Sequence, residues 1–356
     1  MPDNYLYLRG LRKFDYTVFA VAEGQKNYYD PTANAGRGRR LPYSSGQQVK
    51  RSILDELISS LPNEKRAPIT FVAELSRPKK GEPSLGQGEP WNPCDPTYVD
   101  QLVGGYMKAE KDTKTIKRRS PLSISAMRPL HPLLATLTDS ETGTFDRIGD
   151  PDHHQVVVRE GKRKLSPDEV EEFLRSNDRA LPRTKFLNLG PRASGLFVYD
   201  VAVNLKELFR VTTSMHEPAL TEETREKLVG HGWTEADGYM YAPREMQERI
   251  VEALPNALVN WRITSNQSRT FSPQPTLAVA VTSHASRVAD VIRGDLRDDQ
   301  PIDKPRAQPI IETNLPGVES FVALGARSVI AGIEGRVDAL EAAADYVRGK
   351  LREAMV

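Results

Sequence analysis

Residues 36–58 read GRGRRLPYSSGQQVKRSILDELI, and their character changes at the midpoint. Gly36, Gly38 and Pro42 hold the first half out of helix and favour an irregular backbone that other groups can approach closely. In the second half Val49, Ile53, Leu54, Leu57 and Ile58 recur at helical spacing, and Ser44 or Ser45 suits an N-cap, which predicts a helix over about 45–60. Arg37, Arg39, Arg40, Lys50 and Arg51 fall in this stretch, and no acid appears before Asp55. A basic, glycine-rich loop running into a helix start offers free N–H groups and fixed positive charge together, a combination that suits a phosphate backbone. The competing reading is a solvated loop whose arginines meet only water.

Composition narrows the classes. The chain has 356 residues, 38% of them hydrophobic and 27% charged, so a real core is expected in one large domain or two small ones. Net charge is +1, so a polyanion would have to be held by local patches. Two such patches exist, since residues 37–51 and residues 113–132 each hold five basic side chains and no acidic one. Acid gathers instead in 168–178 and 334–353. With one cysteine, Cys94, neither a disulfide framework nor a cysteine-rich zinc site is expected. The start MPDNYLYLRG lacks the apolar core of a signal peptide, and no run approaches the ~18 apolar residues of a membrane span. A soluble, cytoplasmic protein without membrane contact is the expectation.

Working outward, Tyr16–Val21 reads as a buried strand before the basic loop, and Ile69–Leu75 as a second strand after the helix. Strand, basic loop, helix and strand, with further strands at Gly195–Val203 and Thr276–Thr282, fit an α+β sheet of the ferredoxin or RNA-recognition kind. Residues 78–97 are rich in proline and glycine, and 98–134 read as an excursion from the sheet. Residues 139–164 look like loop, Ser166–Glu169 opens a short helix with a capping pattern, and 220–254 are mostly helical with a break near Gly232 and Trp233. Ile330, Ile333, Val337, Leu340, Ala344, Val347 and Leu351 form a narrow helical seam, either docked on its own domain or facing a second subunit. The expected division is a discontinuous palm at 1–77 and 190–300, a finger or thumb at 78–135, a loop-rich insertion at 136–189 and a C-terminal helix at 318–356.

Most catalytic chemistries lack their residues. The histidines are His131, His153, His154, His216, His231 and His284, and only Asp150, Asp152, His153 and His154 lie close enough in sequence to suggest a metal. Adjacent histidines on an extended chain point apart, so no metal and no cofactor is expected. No phosphate-cradling glycine motif sits between a strand and a helix, and no nucleophile elbow occurs. Asp30 is the one acid near the basic segments, and Asp30-Pro31 reads more simply as a turn. Nucleic acid is the partner that the basic segments favour. Arg37, Arg39, Arg40, Ser45, Gln47, Gln48, Lys50 and Arg51 make the first candidate patch. Lys114, Lys117, Arg118, Arg119 and Arg128, with Met127 as an apolar wedge, make the second, and Asn266, Gln267 and Arg269 the third.

Three local patterns, taken in order, resemble the guide-RNA-binding backbone subunit of type I CRISPR Cascade complexes, the DevR-like branch of the repeat-associated RNA-binding superfamily. They are Ser45-Gly46-Gln47-Gln48-Val49-Lys50-Arg51, then Leu102–Met107 followed by Arg118–Ser125, then Asn266-Gln267-Ser268-Arg269 with Pro273. The resemblance covers roughly 5–130 and 190–285. It implies a modified RNA-recognition palm with an extended thumb, a helical filament of copies along CRISPR RNA, other Cascade subunits as partners, and support of guide pairing with target DNA. It further implies that Ser45, Gln48, Lys50 and Arg51 hold the guide backbone and that 98–128 supply fingers or thumb. Related subunits cut RNA with a glycine-flanked loop aspartate, a pattern missing around Asp30. A non-catalytic protein is therefore expected, with an Asp30-dependent RNA endonuclease and an RNA-free structural oligomer as the alternatives.

Overall fold

The computed structural model describes residues 4–19, 26–30, 38–73, 75–76, 84–86, 89–109, 114–138, 141–146, 157–181, 184–189, 191–264, 272–301 and 304–355. They form two compact units, Met1–Leu137 with Ala193–Val356, and Thr138–Arg192. The fold is α+β. The larger unit is built on strands β1 (Tyr5–Thr17), β2 (Leu122–Ile124), β3 (Ala193–Asn204), β4 (Thr276–Thr282) and β5 (Glu319–Val322), and on helices α1 (Gly46–Ser59), α2 (Val99–Gly104), α3 (Arg244–Asn260) and α4 (Ala339–Glu353). The strands lie in the order β2-β3-β1-β4-β5, with every neighbour antiparallel. Arg128–Pro129 and Ala135–Leu137 pair further along β3.

Alternation along β1 sends Leu6 and Leu8 to one face and Leu11 to the other. The first face carries all four helices through Val49, Ile53 and Leu57 of α1, Leu102 of α2, Leu254 and Leu258 of α3, and Val347 and Leu351 of α4. The second face packs Leu196, Val198 and Ala280 against Val288, Val291 and Ile292. β4, TLAVAVT, is apolar almost throughout because it is buried along its whole length. Each such side chain contributes about 1.5–3 kcal/mol on burial, so the shared faces outweigh any single polar contact described below. Gly10 has a steric reason. A Cβ there would lie 2.2 Å from the Tyr199 ring, which crosses the backbone to donate its hydroxyl to the Leu258 carbonyl of α3 at 2.7 Å.

Several expectations change. The first strand starts at Tyr5 and ends at Thr17, and Phe19 reaches the core from beyond it, edge-on to Phe14 at 4.8 Å and to Phe197 at 5.0 Å. Residues 69–75 are not a core strand. Among the described residues Thr70–Val72 pairs only with Glu89–Trp91, and Leu75–Ser76 only with Ser84–Leu85, and Ile69, Phe71 and Leu75 are exposed. Residues 98–134 are not an excursion, because Val99, Leu102, Leu122 and Met127 are core residues and β2 is a strand of the central sheet. The terminal helix begins at Ala339. Ile330 and Ile333 pack on the second face, Val337 is exposed, and α4 docks on its own unit through Ala343, Ala344, Val347 and Leu351. No helix among the described residues is long and apolar enough to cross a membrane.

The smaller unit has a stem in which Glu141–Asp146 pairs antiparallel with Thr184–Leu189, so part of the expected loop is strand. Its ends close on each other: the Thr138 N–H donates to the Arg192 carbonyl at 2.9 Å, and the Arg192 N–H donates to Thr138 Oγ1 at 2.8 Å. The helix Pro167–Ser176 starts with a full capping box between Ser166 and Glu169.

Candidate nucleic-acid interface

The start of α1 is tied into the sheet. Ser45 Oγ accepts the Gln48 N–H at 3.3 Å, which satisfies one of the free donors of the first turn. Gly46 allows close approach, since a Cβ would lie 2.7 Å from the Ile124 carbonyl oxygen. One turn on, Lys50 Nζ donates to the Gly104 carbonyl and to Ser120 Oγ, both at 2.6 Å. Burial, and then the charge of Arg118, lower its pKa to about 8. Lys50 therefore braces the turn after α2 rather than facing outward. Arg51 is exposed at 3.7 Å from Asp55, and Gln47 faces solvent.

The second patch divides. Arg118 is buried and has no carboxylate partner among the described residues, its Nη2 donating to the carbonyls of Glu207 at 2.8 Å and Arg210 at 3.0 Å. Its Nε is buried without a hydrogen-bond partner, and burial lowers its pKa to about 10 despite the opposing influence of Tyr106 and Glu207. Lys114, Lys117 and Arg119 around it are exposed and make no ion pair among the described residues. They border a groove of about 1320 Å³ whose lining also includes Tyr5, Asn204, Arg210, Met215 and Tyr239. The strand Ile116–Arg118 is tied to the 204–239 segment by the Lys117 N–H, which donates to the Pro218 carbonyl at 2.9 Å. Arg210 lies 3.8 Å over the Tyr239 ring and pairs with Glu207 at 2.5 Å, so of the two acids in the lining, Glu207 and Glu217, the first is already neutralised.

Other expected residues lie elsewhere. Met127 is fully buried and exchanges two 3.0 Å backbone hydrogen bonds with Ser44, so its side chain fills the core and cannot wedge between bases. Arg128 pairs with Asp200 at 3.1 Å, and Asp200 also holds Arg9 at 2.6 Å, an ion cluster built into β1 and β3. Arg39 and Arg40 sit on a hairpin, Asn27–Asp30 against Arg39–Pro42, with Arg39 opposite Asp30 and Arg40 Nε donating to Asn27 Oδ1 at 2.9 Å. Arg37, Asn266, Gln267 and Arg269 lie outside the described residues, as do Asp150, Asp152, His153 and His154. Among the described residues no group of three metal-ligating side chains comes together. Sequence reading missed the tyrosines and Arg210 of the groove, which come from the first strand and from 204–239 and carry no motif.

No family model matches the sequence, and no curated protein matches it. Among solved structures, a chain of a pre-nicking CRISPR RNA-guided surveillance complex is similar at 12% identity, over 98% of this chain and 89% of that one, with a TM-score of 0.42. A chain of a CRISPR RNA-guided surveillance complex is similar at 12% identity, over 98% of this chain and 84% of that one, with a TM-score of 0.37.

Proposed function

We propose that the protein binds single-stranded RNA in the 1320 Å³ groove and serves as a guide-RNA-binding backbone subunit of a type I CRISPR Cascade complex. The observation that carries RNA binding is the set of exposed cations without ion pairs among the described residues, Lys114, Lys117 and Arg119, lining one groove together with Tyr5 and Tyr239. Cations along a backbone track and aromatic faces beside it are what a strand with unpaired bases requires. With the short α2 set aside as an addition after α1, the order strand, helix, strand, strand, helix, strand from β1 to β4, with β2-β3-β1-β4 side by side, supports reading the larger unit as the palm of a modified RNA-recognition, ferredoxin-like fold. Ser45, Lys50 and Arg118 support the groove wall in this reading, and copies of the chain line up along the guide while target DNA pairs with it. The three sequence patterns described above support the Cascade assignment. The protein holds RNA without cutting it.

Fluorescence anisotropy with labelled RNA of unrelated sequences tests the reading. Binding should be sequence-tolerant and weaken with salt, with a logarithmic slope of ~0.7 per phosphate neutralised. Lys117→Glu with Arg119→Glu should lower the affinity equally for every sequence and reduce the slope. Unchanged affinity in that variant overturns the groove assignment. Cuts that accumulate with magnesium and vanish in Asp30→Ala overturn the non-catalytic role.

A further inference from the structure

A second pocket, of about 510 Å³, opens beside the C-terminal helix. Tyr5 and Arg210 line both it and the large groove, so the two are contiguous across that pair. Tyr241 and Tyr346 contribute aromatic rings, Leu205 and Met355 apolar surface, and Ser283 a hydroxyl. Lys206 is exposed and has no ion-pair partner among the described residues, whereas Lys350 is held by Glu353 at 3.1 Å. The dividing wall is itself fixed. Asn204 Nδ2 donates to the Tyr5 hydroxyl at 3.0 Å, and the buried Arg118 donates to the Arg210 carbonyl. Small-ligand pockets span roughly 300–1,000 Å³, and this one combines flat apolar surface with one available cation.

We propose that this pocket takes one unstacked nucleotide of a single-stranded RNA whose neighbouring residues lie in the large groove. The inference rests on the RNA reading of that groove. The base would lie against Tyr241 or Tyr346, and its phosphate beside Lys206 at the pocket mouth. Stacking on an aromatic side chain is sequence-tolerant because every base offers a π face. The pocket thus fits a protein that holds unrelated strands.

Photocrosslinking distinguishes this pocket from the groove. A set of oligouridylates, each carrying one 4-thiouridine at a different position, is irradiated with the full-length protein and the linked peptides are identified by mass spectrometry. One position should link to the peptide containing Tyr241 or Tyr346, while others link to 114–119. Lys206 lies on an exposed turn, so Lys206→Glu should fold normally, abolish the pocket crosslink and weaken binding about tenfold, within the range for one base contact. Tyr346→Leu should also remove the link. If every crosslink falls in the groove, or Lys206→Glu binds as tightly as wild type while Lys117→Glu with Arg119→Glu binds less, the pocket assignment fails and the RNA reading stands. If the wild-type protein retains no RNA, both fail.

Discussion

Lys50 and Arg118 are adjacent cations with unlike neighbours to their outside, and their burial sets what each can do. Lys50 has a folded-state pKa of about 8 against an ordinary 10.5, because burial disfavours the ammonium and Arg118 adds to that. Between those values the unfolded chain keeps a proton that the folded chain has released. The stability contributed by Lys50 therefore rises as pH climbs from about 8 to about 10.5. The free energy of unfolding in urea, compared for wild type and Lys50→Met near pH 7 and near pH 9.5, should shift in favour of wild type at the higher pH. A difference that stays flat or falls refutes the assignment. The basic residues of this region were legible in the sequence as charge. Which of them are spent inside the protein was not, because apart from Ser120 Oγ the partners of Lys50 and Arg118 are backbone carbonyls, at 104, 207 and 210, and any residue type supplies those.

At the scale of elements, apolar spacing served well where an element lies in the central sheet or directly on it. α1 is legible from Val49, Ile53 and Leu57 with a serine cap, and β4 from its unbroken apolar run. It misled at 69–75, where Phe71 and Leu75 carry the composition of a core strand on a two-stranded arm that buries neither. Phe71→Ser with Leu75→Ser should therefore change stability by no more than about 0.5 kcal/mol in thermal or urea unfolding. A loss of several kcal/mol would show that the arm is packed after all. The helical seam misled for a related reason. Ile330 and Ile333 are half-buried, as apolar residues should be, but against the second face, before the helix has begun. Spacing records that a residue is buried and does not record by what.

For the whole molecule, the chain leaves the larger unit after Leu137 and re-enters at Ala193, and these two residues are partners in the register of Ala135–Leu137 with β3. Replacing 140–190 by a short glycine-serine turn should leave the remaining sheet folded, with near-native circular dichroism and an intact cooperative transition, because loop closure across paired ends costs little. The same variant should keep salt-dependent RNA binding, since every residue of the large groove lies outside the excised segment. Failure of this variant to fold would show that 140–190 is needed to hold the sheet together.

That closure of Thr138 on Arg192 has a counterpart where Asn4, the first described residue, and Met355, the last, line one pocket. A brief linker joining those two residues would let the chain be reopened at the stem without losing a strand of the central sheet. Circular permutants begun at residue 193 would carry their new ends on the stem side. A fluorophore or an affinity handle could then be displayed there without altering a residue that lines the pocket beside α4.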